Sequence, residues 1–475
     1  MLTVAADRLR DELTLALGPG GVLTAPEDLA AYAFDAYSDA RLPVAAALPR
    51  DAHEVAAVVR IARAHGEPIV ARGAGTGLCG GAVPVTGGVV LSLARMNRIL
   101  SLDARNRIAR VQPGVINLDL SRAAAPDGLF FGPDPSSQRI SMLGGNAATN
   151  AGGPHAFAYG SMSAHVIGLE FVDEAGDITW VTIDDAGYDI TGVLVGSEGT
   201  LGILTALELR LLRTPRAVRV CVAAFDGVEA ASECVSSIVA AGIAATALEI
   251  MDRTIVRAVE AHYRAGYPQE AGAVLLVEVA GESPDVEASE RAIAALARDC
   301  GTLAWRSASS AREREALWAA RKGAAGALGR IAPNYYIQDA TVPRTRLPQA
   351  IARVEAIARE HRLPVGNVFH AGDGNLHPLL IFDRREQRQL DAVVAAGHDI
   401  LAACIDLGGT ISGEHGIGYE KRETLPLVFS ADDIATMERL RGAFDPARGF
   451  NPDKIFPSGA VCGEVRTPSP TLSHA

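Results

Sequence analysis

Leucines at positions 9, 13 and 17 recur every fourth residue, so residues 3–17 present one apolar face and predict an amphipathic helix. An apolar, proline-bounded run follows at 42–49. Residues 53–65 then repeat apolar side chains at helical spacing through Val55, Val58, Val59 and Ala62, with Asp51 placed to cap the helix. Residues 68–71 and 89–93 are short apolar runs of the kind that form buried strands, and together these elements announce a layered α/β beginning. Around 210–216 the pattern changes. Residues 207–211 close a strand, Thr214 and Pro215 break the chain, and 218–225 start another strand. Beyond it the pattern predicts helices near 228–241, 249–264, 285–299, 311–329 and 346–361 and a strand at 273–279, an α+β or ferredoxin-like layer. The expected division is a helical extension over 1–38, a first domain over 39–215, a second over 216–458 and a flexible Pro/Ser/Thr tail over 459–475.

Composition narrows the class. A chain of 475 residues exceeds one ordinary core, and 48% hydrophobic residues with 48 glycines suit a mixed fold with many functional loops. The net charge of −12, without a long Lys/Arg run, excludes a nonspecific nucleic-acid binder, which needs a basic face. Cysteines at 79, 221, 234, 300, 404 and 462 contain no CxxC pair, so neither an iron–sulfur motif nor a disulfide framework is expected, and a reduced cytosolic setting is. Asp7, Arg8, Arg10, Asp11 and Glu12 interrupt the apolar region a signal peptide requires. No stretch reaches the roughly 18 apolar residues of a membrane span, so membrane contact is expected only through a partner.

Two kinds of stretch carry candidate chemistry. In VFHAGDGNLH, residues 368–377, His370 and His377 stand seven apart with Gly372, Asp373, Gly374 and Asn375 between them and Pro378 after. Turn formers at that density rule out a helix, and a strand arriving at His370 with another leaving from Leu376 folds both imidazoles toward one point. Farther on, GGTISGEHGIG offers Glu414 and His415 among five glycines. A His, His, Glu set with a spare histidine suits a catalytic metal site with an open position and a nearby base. Unrelated histidines in structural loops are the competing reading.

The other kind is glycine-rich. RGAGTGLCGG, from Arg72 to Gly81, can converge backbone N–H groups on an anion, though it matches neither a Walker loop nor GxGxxG before a helix. Residues 132–153, GPDPSSQRISMLGGNAATNAGG, and 196–203, GSEGTLGI, lie in the same half of the chain and are equally poor in bulky side chains. Backbone that must approach an extended ligand needs such residues, and a dinucleotide with a flat ring is the expected ligand.

Taken in order, RGAGTGLCGG, PDPSS, GGNAATNAGG, GSEGTLG, VFHAGDGNLHP, ISGEHGIG and NPDK resemble the FAD-linked 2-hydroxyacid dehydrogenases of the vanillyl-alcohol-oxidase type, most of all the flavoprotein subunits of bacterial glycolate oxidase, also called glycolate dehydrogenase. The resemblance covers residues 20–458. It implies an α+β fold with a two-subdomain, PCMH-type FAD-binding domain followed by an FAD-linked oxidase cap domain. It also implies that Arg72, Gly73, Ala74, Gly75, Thr76, Gly77, Gly80 and Gly81 cradle the FAD pyrophosphate. Pro133, Asp134, Ser136, Ser137, Gly144, Gly145, Asn146, Gly152, Gly153, Glu198, Gly199 and Ile203 would line the path from adenine to flavin, and Lys454 would close over it. Relatives that tether flavin covalently carry RGxGH; Thr76 stands in that place, so FAD is expected to be noncovalent.

In metal-dependent members, residues matching His370, His377 and Glu414 bind a divalent ion, commonly described as zinc, and those matching Arg321, Asn375 and His415 meet the substrate. The implied reaction oxidises a short 2-hydroxy acid to the 2-oxo acid, glycolate to glyoxylate first and D-lactate to pyruvate second. His415 takes the hydroxyl proton, hydride leaves for flavin N5 and Arg321 holds the carboxylate. D-2-hydroxyglutarate dehydrogenases have lysine where Ile337 stands, which disfavours a dicarboxylate substrate. An iron–sulfur electron-transfer subunit and quinone are the implied acceptors, which puts the protein in the cytoplasm or peripherally at the inner face of the membrane. A hydrolase built on the same metal set would leave the glycine-rich stretches unexplained. A noncatalytic flavin scaffold would need neither His415 nor Arg321.

Overall fold

The computed structural model describes residues 2–37 and 41–458. The tail expected over 459–475 lies outside the described residues. Contacts group the chain into two units, one of Met1–Ala151, Ser161–Arg213 and His415–Ala475, the other of Gly152–Gly160 and Thr214–Glu414.

In the first unit the helix Leu2–Leu17 buries Leu9, Leu13 and Leu17 in one cluster with Val55, Val58, Val59 and Ala62 of the helix Ala52–Ala64. The stretch expected as an extension therefore shares a core with the domain that follows it. Asp51 caps the second helix as its position suggests, accepting from Glu54 N at 3.0 Å. Beneath these helices the strand Val89–Ser92 pairs in parallel with both Ala45–Ala47 and Ile69–Arg72, and Val22–Leu23 joins antiparallel at the edge. A second, antiparallel sheet runs in the order Ile99–Asp103, Ile108–Val111, Ile203–Arg210, Val166–Val172, Ile178–Thr182. It builds a separate core around Leu120, Leu143, Leu194 and Leu207.

The contact grouping departs from the contiguous second segment expected over 216–458, because residues 415–458 fold onto the first unit. Their backbone lies along the strand Ile69–Arg72, with Ile69 N donating to Gly449 O at 2.8 Å and Asn451 N to Ile69 O at 2.7 Å. Two buried cations finish the attachment. Arg441 Nη2 donates to Phe450 O at 2.8 Å, and Lys454 Nζ donates to Val83 O at 2.7 Å.

The second unit is an eight-stranded sheet whose main path runs Ala304–Ser307, Ala217–Phe225, Ala273–Gly281, Ala247–Asp252, Val365–His370, Asn375–Phe382, Asn334–Ile337, all antiparallel, with Ala340–Thr341 paired on Asn375–Phe382. One face is covered in part by Ile255, Val256 and Val259 of the helix Arg253–Tyr263 and by Leu317 and Ala320 of Ala311–Lys322.

The helix expected at 249–264 is shorter, and its first residues are a strand. Helical spacing of apolar residues there is overridden by pairing on both sides, since Ala247–Asp252 is fully buried between two neighbouring strands. Asp252 marks the change, accepting from Ile255 N at 2.9 Å as the helix cap and from Asn367 N at 2.6 Å. The helix expected at 311–329 likewise ends at Lys322. A side chain at Gly323 would overlap the Tyr263 hydroxyl, so the backbone passes close there before a short turn, Ala324–Ala327.

Burial pushes the Asp252 carboxyl up to about 6 from 3.8, against hydrogen bonds that lower it. A pKa raised in the folded state contributes stability present below the ordinary value and lost as pH rises through about 6. Asp252→Asn keeps one of the two acceptor oxygens, at a cost that is the same at every pH, and cannot ionise. The variant is therefore expected to gain on wild type in thermal midpoint as the buffer moves from about pH 4 to about pH 7. A difference that stays flat across that range would remove burial as the cause. No helix among the described residues is long and apolar enough to cross a membrane.

Candidate active site

The histidine stretch folds as its turn formers suggest. The strand Val365–His370 turns through Ala371 to Gly374 into the strand Asn375–Phe382, with Val368 opposite His377 and His370 opposite Asn375. Cross-strand partners share a face, so His370, His377 and Asn375 project together. The turn needs glycine at its last position. Gly374 has φ +85°, and a Cβ there would overlap the carbonyl oxygen of Val342.

Glu414 reaches the same point from the ISGEHG loop. Asp339, fully buried, holds that loop by accepting from Ser412 Oγ at 2.8 Å, Gly413 N at 3.0 Å and Glu414 N at 3.2 Å. Glu414 Oε1 then stands 3.3 Å from His370 Nε2 and 3.2 Å from His377 Nε2. Burial alone would raise the Glu414 carboxyl; hydrogen bonds from His370 and His377 outweigh it and hold the group well below its ordinary value. Burial would lower the His370 imidazole, but the charge of Glu249, its hydrogen bond and that of Glu414 keep it well above its ordinary value.

The donor set fits a divalent ion. His370, His377 and Glu414 each offer an atom within 4.8 Å of the others. Ligands at 2.0–2.2 Å from a tetrahedral centre stand roughly 3.3–3.6 Å apart, close to the two contacts to Glu414. His370 Nδ1 is held by both carboxylate oxygens of Glu249, at 2.8 and 2.9 Å, the outer hydrogen bond typical of a ligating histidine. Asn375 Oδ1 is buried on the same face with no hydrogen-bond partner among the described residues, so it can receive a donor from a ligand. Arg321, in the last turn of Ala311–Lys322, is buried and ion-paired with Glu249. A cavity of about 680 Å³ opens beside the turn, but Phe157, Val342, Arg344, Asp373 and Thr410 line it rather than the donor set.

The glycine stretches lie in the first unit except at one point: Gly152 and Gly153 open the segment Gly152–Gly160, which groups with the second. An imagined Cβ on Gly73 would sit 3.5 Å from Met142 Cβ and 3.9 Å from Gly145 Cα, so the first two stretches lie against one another. Gly145 and Gly81 have open space where a side chain would stand, and Gly144 packs on Pro113. Ser141 Oγ and Asn146 Nδ2 are buried there without a hydrogen-bond partner among the described residues. Open glycine backbone beside unsatisfied polar atoms fits a polar ligand such as a dinucleotide.

Several expected cofactor residues have other tasks in the fold. Arg72 is folded beneath its own loop, donating to Phe34 O at 2.6 Å and Ala31 O at 3.3 Å, and Gly75 leaves room for its guanidinium. Ala74 is exposed and Thr76 half-buried; Gly77 lies beside the Asp35 carboxylate, and Gly80 packs on Tyr419. Pro133 O accepts from Asn117 Nδ2 at 3.1 Å, Asp134 is buried, Ser136 is exposed and Ser137 half-buried. Glu198 accepts from Ile417 N and Gly418 N, each at 2.7 Å, while Gly199 has φ +71° and Ile203 is fully buried in the core. Lys454 Nζ is bound by Val83 O and by Asn451 Oδ1 at 3.1 Å, and burial lowers its pKa to about 8. His415 begins the part of the chain that returns to the first unit.

Glu249 and Asp339 are site residues that the sequence reading passes over. Glu249 was read as helix, and its signal is only an acidic residue amid the buried run ALEIMD; Asp339 closes the YYIQD run with no motif around it.

Comparison with known proteins bears on both units. Residues 43–182 match the family described as FAD binding domain, and residues 214–455 match FAD linked oxidases, C-terminal domain. The chain is 40% identical over 447 residues to the glycolate oxidase subunit GlcD of Escherichia coli (strain K12), covering 93% of this chain and 90% of that one. It is 32% identical over 414 residues to D-lactate dehydrogenase of Anaerostipes hadrus, covering 85% and 87%. The fold superposes on 4-ethylphenol oxidase from Gulosibacter chungangensis with a TM-score of 0.79 at 18% identity, covering 96% and 98% of the two chains.

Proposed function

Since the chain belongs to the FAD-linked oxidases, we propose that it oxidises a short 2-hydroxy acid to the 2-oxo acid, glycolate to glyoxylate in first place and D-lactate to pyruvate in second. The observation that carries this reading is the meeting of His370, His377 and Glu414 within 3.3 Å contacts in a chain that also has a matched FAD-binding domain. Bound FAD supplies a two-electron acceptor, and a divalent ion held by the three side chains, zinc by its N/O donor set, supplies a Lewis acid that chelates a 2-hydroxy carboxylate and acidifies its hydroxyl.

The chain's own residues do the rest. Arg321 attracts the substrate carboxylate while Glu249 balances its charge, and the Asn375 amide borders the substrate on the same face as the two histidines. His415 receives the hydroxyl proton as the general base. Ile337 packs against the apolar core beside the site rather than offering a charge, which supports a monocarboxylate. FAD is bound noncovalently, with the loop from Arg72 to Gly81 at its pyrophosphate and Thr76 standing where covalent relatives carry the tethering histidine. The boundary between the two modules is read near residue 215, supported by a family match that begins at residue 214. Electrons pass to an iron–sulfur subunit and quinone, a reading supported by the word subunit in the name of the Escherichia coli relative. That places the protein in the cytoplasm, at the inner face of the membrane when its partner is bound.

Prolonged chelation followed by gel filtration is expected to leave the FAD content unchanged and to lower glycolate oxidation at least about a hundredfold, the scale on which lost ligand support acts. Zinc added back restores the rate. Full activity in protein shown to be metal-free would remove the ion from the reading.

A further inference from the structure

We propose that Glu249 is a positioning residue of the metal set, fixing His370 in one tautomer so that its Nε2 faces Glu414 and His377; this rests on the metal reading given above. Glu249 lies directly opposite His370 on the neighbouring antiparallel strand, and its side chain is fully buried. Both of its carboxylate oxygens stand at hydrogen-bond distance from His370 Nδ1, 2.8 and 2.9 Å. A carboxylate can only accept, so it holds a proton on Nδ1, and Nε2 is the nitrogen left to bind an ion in exchange for its own proton. His377 Nδ1 stands farther from its carboxylate neighbour, at 3.8 Å from Asp339 Oδ1. The two imidazoles meet edge to face, with centroids 5.1 Å apart and planes at 87°, so rotation of His370 would turn its Nε2 away from the common point.

The same carboxylate pairs with Arg321, whose side chain is 4% exposed. One buried anion therefore serves the ligand and the arginine together. It links the central strand Ala247–Asp252 to the helix Ala311–Lys322 and to the histidine strand, and it is fully buried. A core ion pair with no bearing on the metal would need only Arg321; the two-oxygen contact with His370 is what assigns the further role.

The test uses full-length, FAD-loaded protein with zinc as the probe. Zinc retention is measured against a chromophoric chelator, and histidine coordination is counted by zinc K-edge absorption. Glu249→Gln keeps an acceptor and loses the charge, and is expected to weaken zinc retention about tenfold; Glu249→Leu loses both and is expected to weaken it about a hundredfold. Because Glu249→Leu strands the Arg321 charge, the double variant Glu249→Leu/Arg321→Met keeps the test open if the single one fails to fold. The double variant is expected to bind FAD normally, to lose zinc as strongly as the single one, and to show one histidine nitrogen at the metal instead of two. Zinc held as in wild type by all folded variants, with both histidine nitrogens in place, would overturn the role of Glu249 alone. Wild type that binds no zinc would overturn the metal reading and this inference with it.

Discussion

His415→Ala stops the anaerobic bleaching of bound flavin by glycolate and leaves the oxidised-flavin spectrum unchanged. The expected loss is about 10²–10⁴-fold in the rate of flavin reduction, the range over which a positioned general base acts. The variant should also retain zinc, because the donor set proposed for the ion is His370, His377 and Glu414 and does not include His415. A loss of zinc together with reduction would move His415 from proton acceptor to ligand. Undiminished bleaching would end its assigned role.

Glu414→Gln has an effect of similar size by another route. Its carboxylate faces both imidazoles at 3.2 and 3.3 Å and is the anionic member of the set. The backbone that carries it is held separately by Asp339, through Ser412, Gly413 and Glu414 N, so the loop keeps its place when the side chain is neutralised. Zinc retention is therefore expected to fall at least about a hundredfold and flavin reduction with it, while the fold and FAD content persist. In His415→Ala the metal stays and the proton transfer goes; in Glu414→Gln the metal goes first. Zinc held normally by Glu414→Gln would exclude Glu414 as a ligand.

The site was legible in the sequence where the backbone is constrained, and much less so where one side chain supports another. Gly372, Asp373 and Gly374 with Pro378 rule out a helix, so the hairpin and the meeting of His370 with His377 follow from local rules. Glu414 was readable because glycines surround it. Glu249 lies more than a hundred residues from His370, and its role depends on strand register, which a helix-spaced apolar pattern concealed. Asp339 is similar, since its partners lie across a loop closed only in the fold. In the FAD-binding half, Gly144 and Gly145 were identifiable as close-approach glycines, whereas the sequence could not tell that the Arg72 guanidinium turns back to bind Phe34 O and Ala31 O. The late attachment of residues 415–458 rests on buried Arg441 and Lys454, whose carbonyl partners are local in one case and far upstream in the other.

The central claim is that this FAD-linked oxidase acts on a short 2-hydroxy monocarboxylate. Anaerobic mixing of the yellow, zinc-loaded protein with glycolate, D-lactate, L-lactate and D-2-hydroxyglutarate, followed at the oxidised-flavin band, tests it most directly. The account predicts rapid bleaching by glycolate, slower bleaching by D-lactate and little by the other two. D-lactate ahead of glycolate would exchange the first substrate for the second, and a protein that none of the four acids bleaches would contradict the claim.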